Sequence, residues 1–244
     1  MGKQDYSTIT VPTGPILFIA DLHLDSKFPI FTAEEVGETR NFLEELVVQS
    51  EISTLFVIGD IFSMQEINSW FIQDILKWLD GLAGEIIILP GNHDRNLGDI
   101  AKKNEIPHTT ILSSGSAVFQ RDGIPILFVT HDARGGYLSK VSKPAEFLSE
   151  LRRILAVPQL CWLLAGHTHQ PFIDFTMRAA SIGPFNVVAR ELSPVKDLSY
   201  SYFLAAPHCC FNRYGGQLIV QKHRSGKLVS QSYAIEFGGE ENDV

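Results

Sequence analysis

The chain has 244 residues, of which 45% are hydrophobic, 10% aromatic and 20% charged, an ordinary composition for a soluble globular protein long enough to bury a core of useful size. Its formal charge of −8 argues against an affinity drawn from a broad basic surface, although bound metal ions would still let it meet a nucleic acid. Three cysteines (Cys161, Cys209, Cys210) make neither a disulfide framework nor a zinc-ligand spacing. No apolar run approaches the roughly 20 residues of a membrane span. The first fifteen residues lack a basic n-region and an apolar h-region, so no signal peptide and a cytoplasmic location are expected.

In chain order, Ile16 to Ala20 (ILFIA) reads as a buried strand, and Thr32 to Ser50 as a helix with Thr32 and Glu35 in capping-box spacing. Leu55 to Ile58 predicts a second strand, Ile67 to Leu82 an amphipathic helix, and Glu85 to Leu89 a third strand. The turn signal Arg121-Asp122-Gly123 leads into a strand over Ile124 to Thr130. Pro144 to Ala156 looks helical, and Leu160 to Ala165 strand-like. Pro171 to Leu198 reads as irregular and rich in turn residues. Strands are then expected at Tyr200 to Ala205, Gln217 to Lys222 and Leu228 to Ile235, the last two joined by a Ser-Gly turn. Strand–helix alternation followed by a strand-rich end predicts one domain, a layered α/β sandwich with a partly parallel sheet.

The polar residues fall at the ends of these strands. Asp21 follows the first directly and His23 sits two residues on. Asp60 follows the second behind Gly59, and Asn92 lies past the third in Gly91-Asn92-His93-Asp94. His131 ends the strand ILFVT, and His167 and His169 follow the strand ending at Ala165, behind Gly166. In open α/β sheets, that C-terminal edge is where sites assemble. Aspartates, an amide oxygen and imidazoles suit Mn²⁺, Fe or Zn²⁺ better than calcium. Seven such groups are too many for one catalytic ion and fit two ions sharing a carboxylate, which together clamp a phosphoryl group and generate a hydroxide nucleophile. The glycines before Asp60, Asn92 and His167 would keep side chains from crowding the site. Taken singly, each block is bland: an Asp after a strand is usually a turn former or a helix cap.

Asp21-Leu22-His23, Gly59-Asp60, Gly91-Asn92-His93-Asp94, His131 and Gly166-His167-Thr168-His169 resemble, in order, the five blocks of the calcineurin-like metallophosphoesterases. The resemblance spans residues 16–170, about two thirds of the chain. It implies an α/β/β/α sandwich of two mixed sheets flanked by helices, and a centre of two divalent ions, Mn²⁺ before Fe or Zn²⁺. It also implies that Asp21, His23 and His169 hold one ion, that Asn92, His131 and His167 hold the other, and that Asp60 bridges them. His93 then matches the residue that protonates the leaving oxygen or stabilises its charge, and Asp94 the carboxylate that orients it. A carboxylate beside a histidine favours the imidazolium that such an acid must be.

The run from Asp21 to Leu43 (DLHLDSKFPIFTAEEVGETRNFL), with Leu97-Gly98 after the Gly91–Asp94 block, is similar to the UDP-diacylglucosamine pyrophosphatase subgroup. That subgroup carries a His-Gly-Asp block and a long helical cap. Here Asp132 follows His131, and the 35 residues before His167 leave room for one helix only. A lipid substrate is therefore less favoured, with a UDP-diacylglucosamine pyrophosphatase-like enzyme kept as an alternative. A small-molecule, nucleotide-like phosphoester is the favoured substrate and a nucleic acid the less favoured one, because Lys102, Lys103, Lys140 and Lys143 are scattered. A non-catalytic scaffold is the third class, and seven intact ligand positions argue against it. The 171–198 segment, with Phe172, Phe175, Arg178 and Phe185, is a candidate substrate-contacting loop.

Overall fold

The computed structural model describes residues 6–12, 16–24, 37, 40–41, 43–45, 47–48, 51–62, 68–94, 97–103, 106–131, 143–159, 161–168, 172–174, 176–182, 187–190, 204–205, 215–224 and 227–236. Their strands form two sheets. One runs in the order β1 (Ser7–Thr10), β6 (Ser116–Arg121), β7 (Ile124–Thr130), β8 (Trp162–Ala165), β10 (Ala179–Ser181), β9 (Phe172–Asp174). The other runs β14 (Lys227–Glu236), β13 (Gly215–Arg224), β12 (Leu204–Ala205), β11 (Val187–Arg190), β2 (Ile16–Ala20), β3 (Thr54–Ile58), β4 (Glu85–Leu89), β5 (Thr109–Ile111). β2, β3, β4 and β5 pair in parallel, as do β7, β8 and β10. Both sheets are mixed, since β11 meets β2 and β6 meets β7 antiparallel.

The unbroken apolar runs of β2, β3 and β4 follow from burial on both faces. Ile16, Phe18 and Ala20 enter the core between the sheets with Phe56, Ile58, Phe119, Leu127, Val129 and Leu164. Phe18, Phe56 and Phe119 make a three-ring cluster there, with centroids 5.3–5.8 Å apart. Leu17 and Ile19 point the other way, onto Leu43, Val47, Ile72, Ile75, Leu76 and Leu79 of the flanking helices. On the far side of the other sheet, Phe147, Leu148 and Leu151 of the helix Pro144–Ile154 cover Val118, Phe128 and Leu163. The order of layers is helix, sheet, sheet, helix, as the resemblance implies. No helix among the described residues is long and apolar enough to cross a membrane.

The expected helix at 67–82 is Ser69–Asp80, and that at 144–156 is Pro144–Ile154. Of the helix expected at 32–50, residues 37, 40–41, 43–45 and 47–48 are helical and the others lie outside the described residues. The predicted strand at 160–165 is Trp162–Ala165, and the last two predicted strands are the hairpin β13–β14. Of 200–205, only residues 204–205 are described, and they form β12.

The irregular reading of 171–198 is corrected: β9, β10 and β11 lie within it. β10 is only Ala179-Ala180-Ser181, small residues without the β-branched signal of a strand. All three are buried because β10 lies beside β8. β1, β5 and β6 and the helix Leu97–Lys103 were also not expected. β1 and β5 are edge strands of four and three residues, polar in part, and exist through pairing with β6 and β4.

Candidate metal centre

Because β2, β3 and β4 are parallel neighbours in one sheet and β7 and β8 in the other, their C-terminal ends open on the same edge of the sandwich. The loops beyond β2 and β3 stay zipped: the N–H groups of Asp21, His23 and Leu24 donate to the carbonyls of Gly59, Asp60 and Ile61 at 2.8–3.1 Å. Asp21, His23, Asp60 and His131 are buried polar side chains there. Two groups of ligand atoms result, each within 4.8 Å: Asp21, His23 and Asp60; and Asp60, His131 and His167. Asp60 belongs to both. Asn92 Oδ1 lies 3.1 Å from His167 Nδ1, at the second group. His169 lies outside the described residues, as do Asp25, Arg95, Asp132 and Arg134, the neighbours of the blocks.

His131 shows how the fold orients a candidate ligand. Its Nδ1 is 2.8 Å from the carbonyl oxygen of Ile58, an acceptor only, so Nδ1 carries the proton and donates it. Nε2 is then the nitrogen free to face a cation, 3.1 Å from Asp60 Oδ2 and 4.0 Å from Asp21 Oδ1. Burial favours the neutral ring, but the hydrogen bond to Asp60 and the charges of Asp21, Asp60 and Asp94 outweigh it and push His131 up to about 9. Burial likewise opposes ionisation of Asp60, yet the hydrogen bond and charge of His131 and the His93 amide hold it down at about 2. Both shifts favour a protonated His131 beside an ionised Asp60 near neutral pH when no cation is bound. A raised histidine value means that this contribution to stability is complete below pH 6.5 and is lost as pH rises through about 9. The lowered Asp60 contributes above pH 3.8, and its share is lost as pH falls through about 2.

A cation taken up on His131 Nε2 must displace the proton held there. Near pH 7, uptake should release about one proton, and affinity should rise roughly tenfold per pH unit until about pH 9. Calorimetry in buffers of different ionisation enthalpy checks this; a heat independent of buffer would mean that His131 takes no ion.

The carboxylates also tie the loops together. Asp21 accepts the N–H of His167 at both oxygens, 3.0 and 3.1 Å, joining the end of β8 to the end of β2. Asp60 Oδ1 accepts the N–H of His93 at 2.9 Å. Asp21, His23, Asp60 and His167 all have positive φ (46–76°), a backbone state that costs non-glycine residues about 1–3 kcal/mol. Half of the described non-glycine residues in that region are thus candidate ligands, so strain is concentrated at the site.

The three glycines keep the centre closed by bringing backbone against side chain. Gly59 has φ +68°, and a Cβ there would overlap the His131 ring; one at Gly91 would overlap the carboxylate and backbone nitrogen of Asp60. A Cβ on Gly166 would lie 2.7 Å from His131 Nδ1 and 2.8 Å from Ile58 O, against both partners of the bond that orients His131. Gly166→Ala should therefore cost about 1–3 kcal/mol by overpacking. Urea unfolding of the metal-free protein measures it, and an unchanged midpoint would contradict this packing.

Some contacts at the centre carry no signal in the sequence. Phe147 stacks on His167 at 6.0 Å and 24°, yet its place on an amphipathic helix marks it only as core. Ser181 Oγ bonds Thr168 Oγ1 beside His167, because β10 pairs with β8. Away from the centre, His108 donates its backbone N–H to Asp80 Oδ1 at 3.0 Å, in a turn before β5. Asp94 Oδ1 accepts the N–H groups of Ile61 and Phe62, and Oδ2 that of Gly91. Burial pushes Asp94 up to about 7 against the amides that hold it down.

Strand-end carboxylates and imidazoles in two groups sharing Asp60 define a metal-binding α/β sandwich. The sequence profile of the calcineurin-like phosphoesterases matches residues 14–171, more than half of the chain, and the chain belongs to that family. Comparison with curated protein sequences gives no significant match. The fold is similar to Vacuolar Protein Sorting 29 from Cryptosporidium parvum (16% identity, 91% of this chain and 97% of that one, TM-score 0.51). It is similar as well to a single mutant of Vps29 from Entamoeba histolytica (12% identity, 91% and 100%, TM-score 0.50). A weaker likeness is to nuclease MPE from Pseudomonas putida (15% identity, 88% and 87%, TM-score 0.41). At such identities the likeness concerns the fold alone.

Proposed function

We propose that the chain is a dinuclear metal-dependent phosphoesterase acting on a small, nucleotide-like phosphodiester or phosphomonoester. The observation that carries this reading is the pair of ligand groups sharing Asp60. Asp21 and His23, with His169, hold one ion; His131, His167 and Asn92 hold the other; Asp60 bridges. Mn²⁺ is the favoured metal, with Fe and Zn²⁺ as alternatives, since imidazole and carboxylate donors suit all three. When bound, two such ions neutralise phosphoryl charge and supply hydroxide at neutral pH.

The chain's own residues do the rest. The amides of His167 and His93 fix the free rotation of the Asp21 and Asp60 carboxylates. Ile58 fixes the tautomer of His131. His93 is tied through its backbone to Asp60, and its ring stands 6.1 Å from that of His23, next to the first ligand group. From there it donates a proton to the departing oxygen.

The test has two parts. Mn²⁺ titration should find two ions per chain, and no bound Mn²⁺ would overturn the reading. Hydrolysis of bis-p-nitrophenyl phosphate against p-nitrophenyl phosphate then separates diesterase from monoesterase. A panel of nucleotides and single-stranded DNA follows, in which preference for the DNA would replace the small-molecule substrate by a nucleic acid.

A further inference from the structure

Asp94 adjoins His93 in sequence, and the family resemblance gives it the task of orienting that histidine. Its hydrogen bonds go elsewhere. Oδ1 accepts the backbone N–H of Ile61 at 3.0 Å and of Phe62 at 3.4 Å, and Oδ2 accepts the N–H of Gly91 at 2.9 Å. The side chain is 3% exposed. His93 Nδ1, by contrast, is buried with no hydrogen-bond partner among the described residues.

We propose that Asp94 is a positioning residue for the metal ligands, a buried brace that locks the loop after β3 to the loop after β4. The proposal rests on the metal-centre reading above. The three amides are placed for this purpose: Ile61 and Phe62 follow Asp60 directly, and Gly91 precedes Asn92. Asp60 has φ +49° and needs its surroundings to hold it there. Gly91, lacking a Cβ, lets the second loop touch the Asp60 carboxylate and backbone, so any slip of one loop moves the shared ligand. Both carboxylate oxygens face N–H donors here, whereas an amide would turn a donor of its own toward one set of them. Asp94 reaches the position through a tight turn, its own N–H donating to Gly91 O at 3.3 Å. The brace therefore acts on Asp60 and Asn92 together, and on the leaving group not at all.

The two roles separate experimentally. Mn²⁺ would be titrated into wild type, Asp94→Asn and His93→Ala, and kcat measured at saturating Mn²⁺ over phosphodiesters of graded leaving-group pKa. The brace predicts that Asp94→Asn binds Mn²⁺ about 10–100-fold more weakly. It also predicts that excess Mn²⁺ restores activity with the wild-type leaving-group slope, whereas His93→Ala keeps its affinity and steepens the slope. Wild-type affinity in Asp94→Asn with the slope of His93→Ala would overturn the brace. If Asp94→Asn does not fold, or if wild type binds no Mn²⁺ and the metal reading itself falls, hydrogen exchange of metal-free wild type decides. Protected Ile61, Phe62 and Gly91 amides uphold the brace, and open-chain rates at all three overturn it.

Discussion

Asp60→Asn should abolish turnover, lowering kcat/KM by about 10³-fold or more, on the scale of losing a preorganised electrostatic group. The isosteric amide fails for reasons visible at each atom. Asp60 Oδ1 accepts the His93 N–H and Oδ2 faces His131 Nε2 at 3.1 Å. An asparagine has one acceptor oxygen; if it stays with His93, a neutral NH₂ points into both ligand groups and can bind no cation. If the amide flips, two donors meet at His93. His131 changes as well, because with its hydrogen-bonded partner neutral, burial regains weight and its value falls from about 9. Steady-state kinetics with Mn²⁺ and metal analysis of the purified variant check the effect. Two ions bound with wild-type turnover would show that Asp60 is no bridge. The proton released on metal uptake should shrink in the same variant, which ties the kinetic loss to this pair.

His93→Ala should leave metal content intact and slow the reaction according to the leaving group. Esters of alkyl alcohols need the departing oxygen protonated, so their kcat should fall about 10²–10⁴-fold, the usual span of general acid catalysis. A p-nitrophenolate leaves without help and should lose little. The structure separates His93 from the ligand set in a way that makes this split measurable. Its backbone N–H holds Asp60, and that bond survives truncation of the side chain. An equal loss for alkyl and aryl esters would remove the acid role and leave His93 as a packing residue against His23.

Much of the site was legible because strand ends are local features. A run such as ILFIA followed by Asp and His, or a Gly-Asp pair directly after TLFVI, places a candidate ligand at the edge of a sheet whatever the sheet's order. The glycines were legible for the same reason, and their close contacts with His131 and Asp60 agree with that reading. Segment 171–198 was not legible: Ala179-Ala180-Ser181 becomes a strand only because β8 offers it a partner. β1 likewise depends on β6, more than a hundred residues away. The sequence places Asp94 beside His93, while two of its three acceptor bonds reach the loop after β3 and the third closes its own loop at Gly91.

What the sequence by itself determined is the kind of candidate ligands, their expected place at strand ends and the family, since each depends on short stretches of chain. Tertiary structure alone decided which group meets which. The Asp21 carboxylate takes an amide 146 residues away, His131 takes a carbonyl 73 residues away, and Asp94 bonds Ile61 across 33. The first two pairs exist only once β2–β3–β4 faces β7–β8, and the third only once β3 lies beside β4. They set the tautomer of His131, its protonation beside Asp60 and the loop contacts of Asp94, because hydrogen bonds and buried charges act over a few ångströms of space, however far apart their partners lie along the chain.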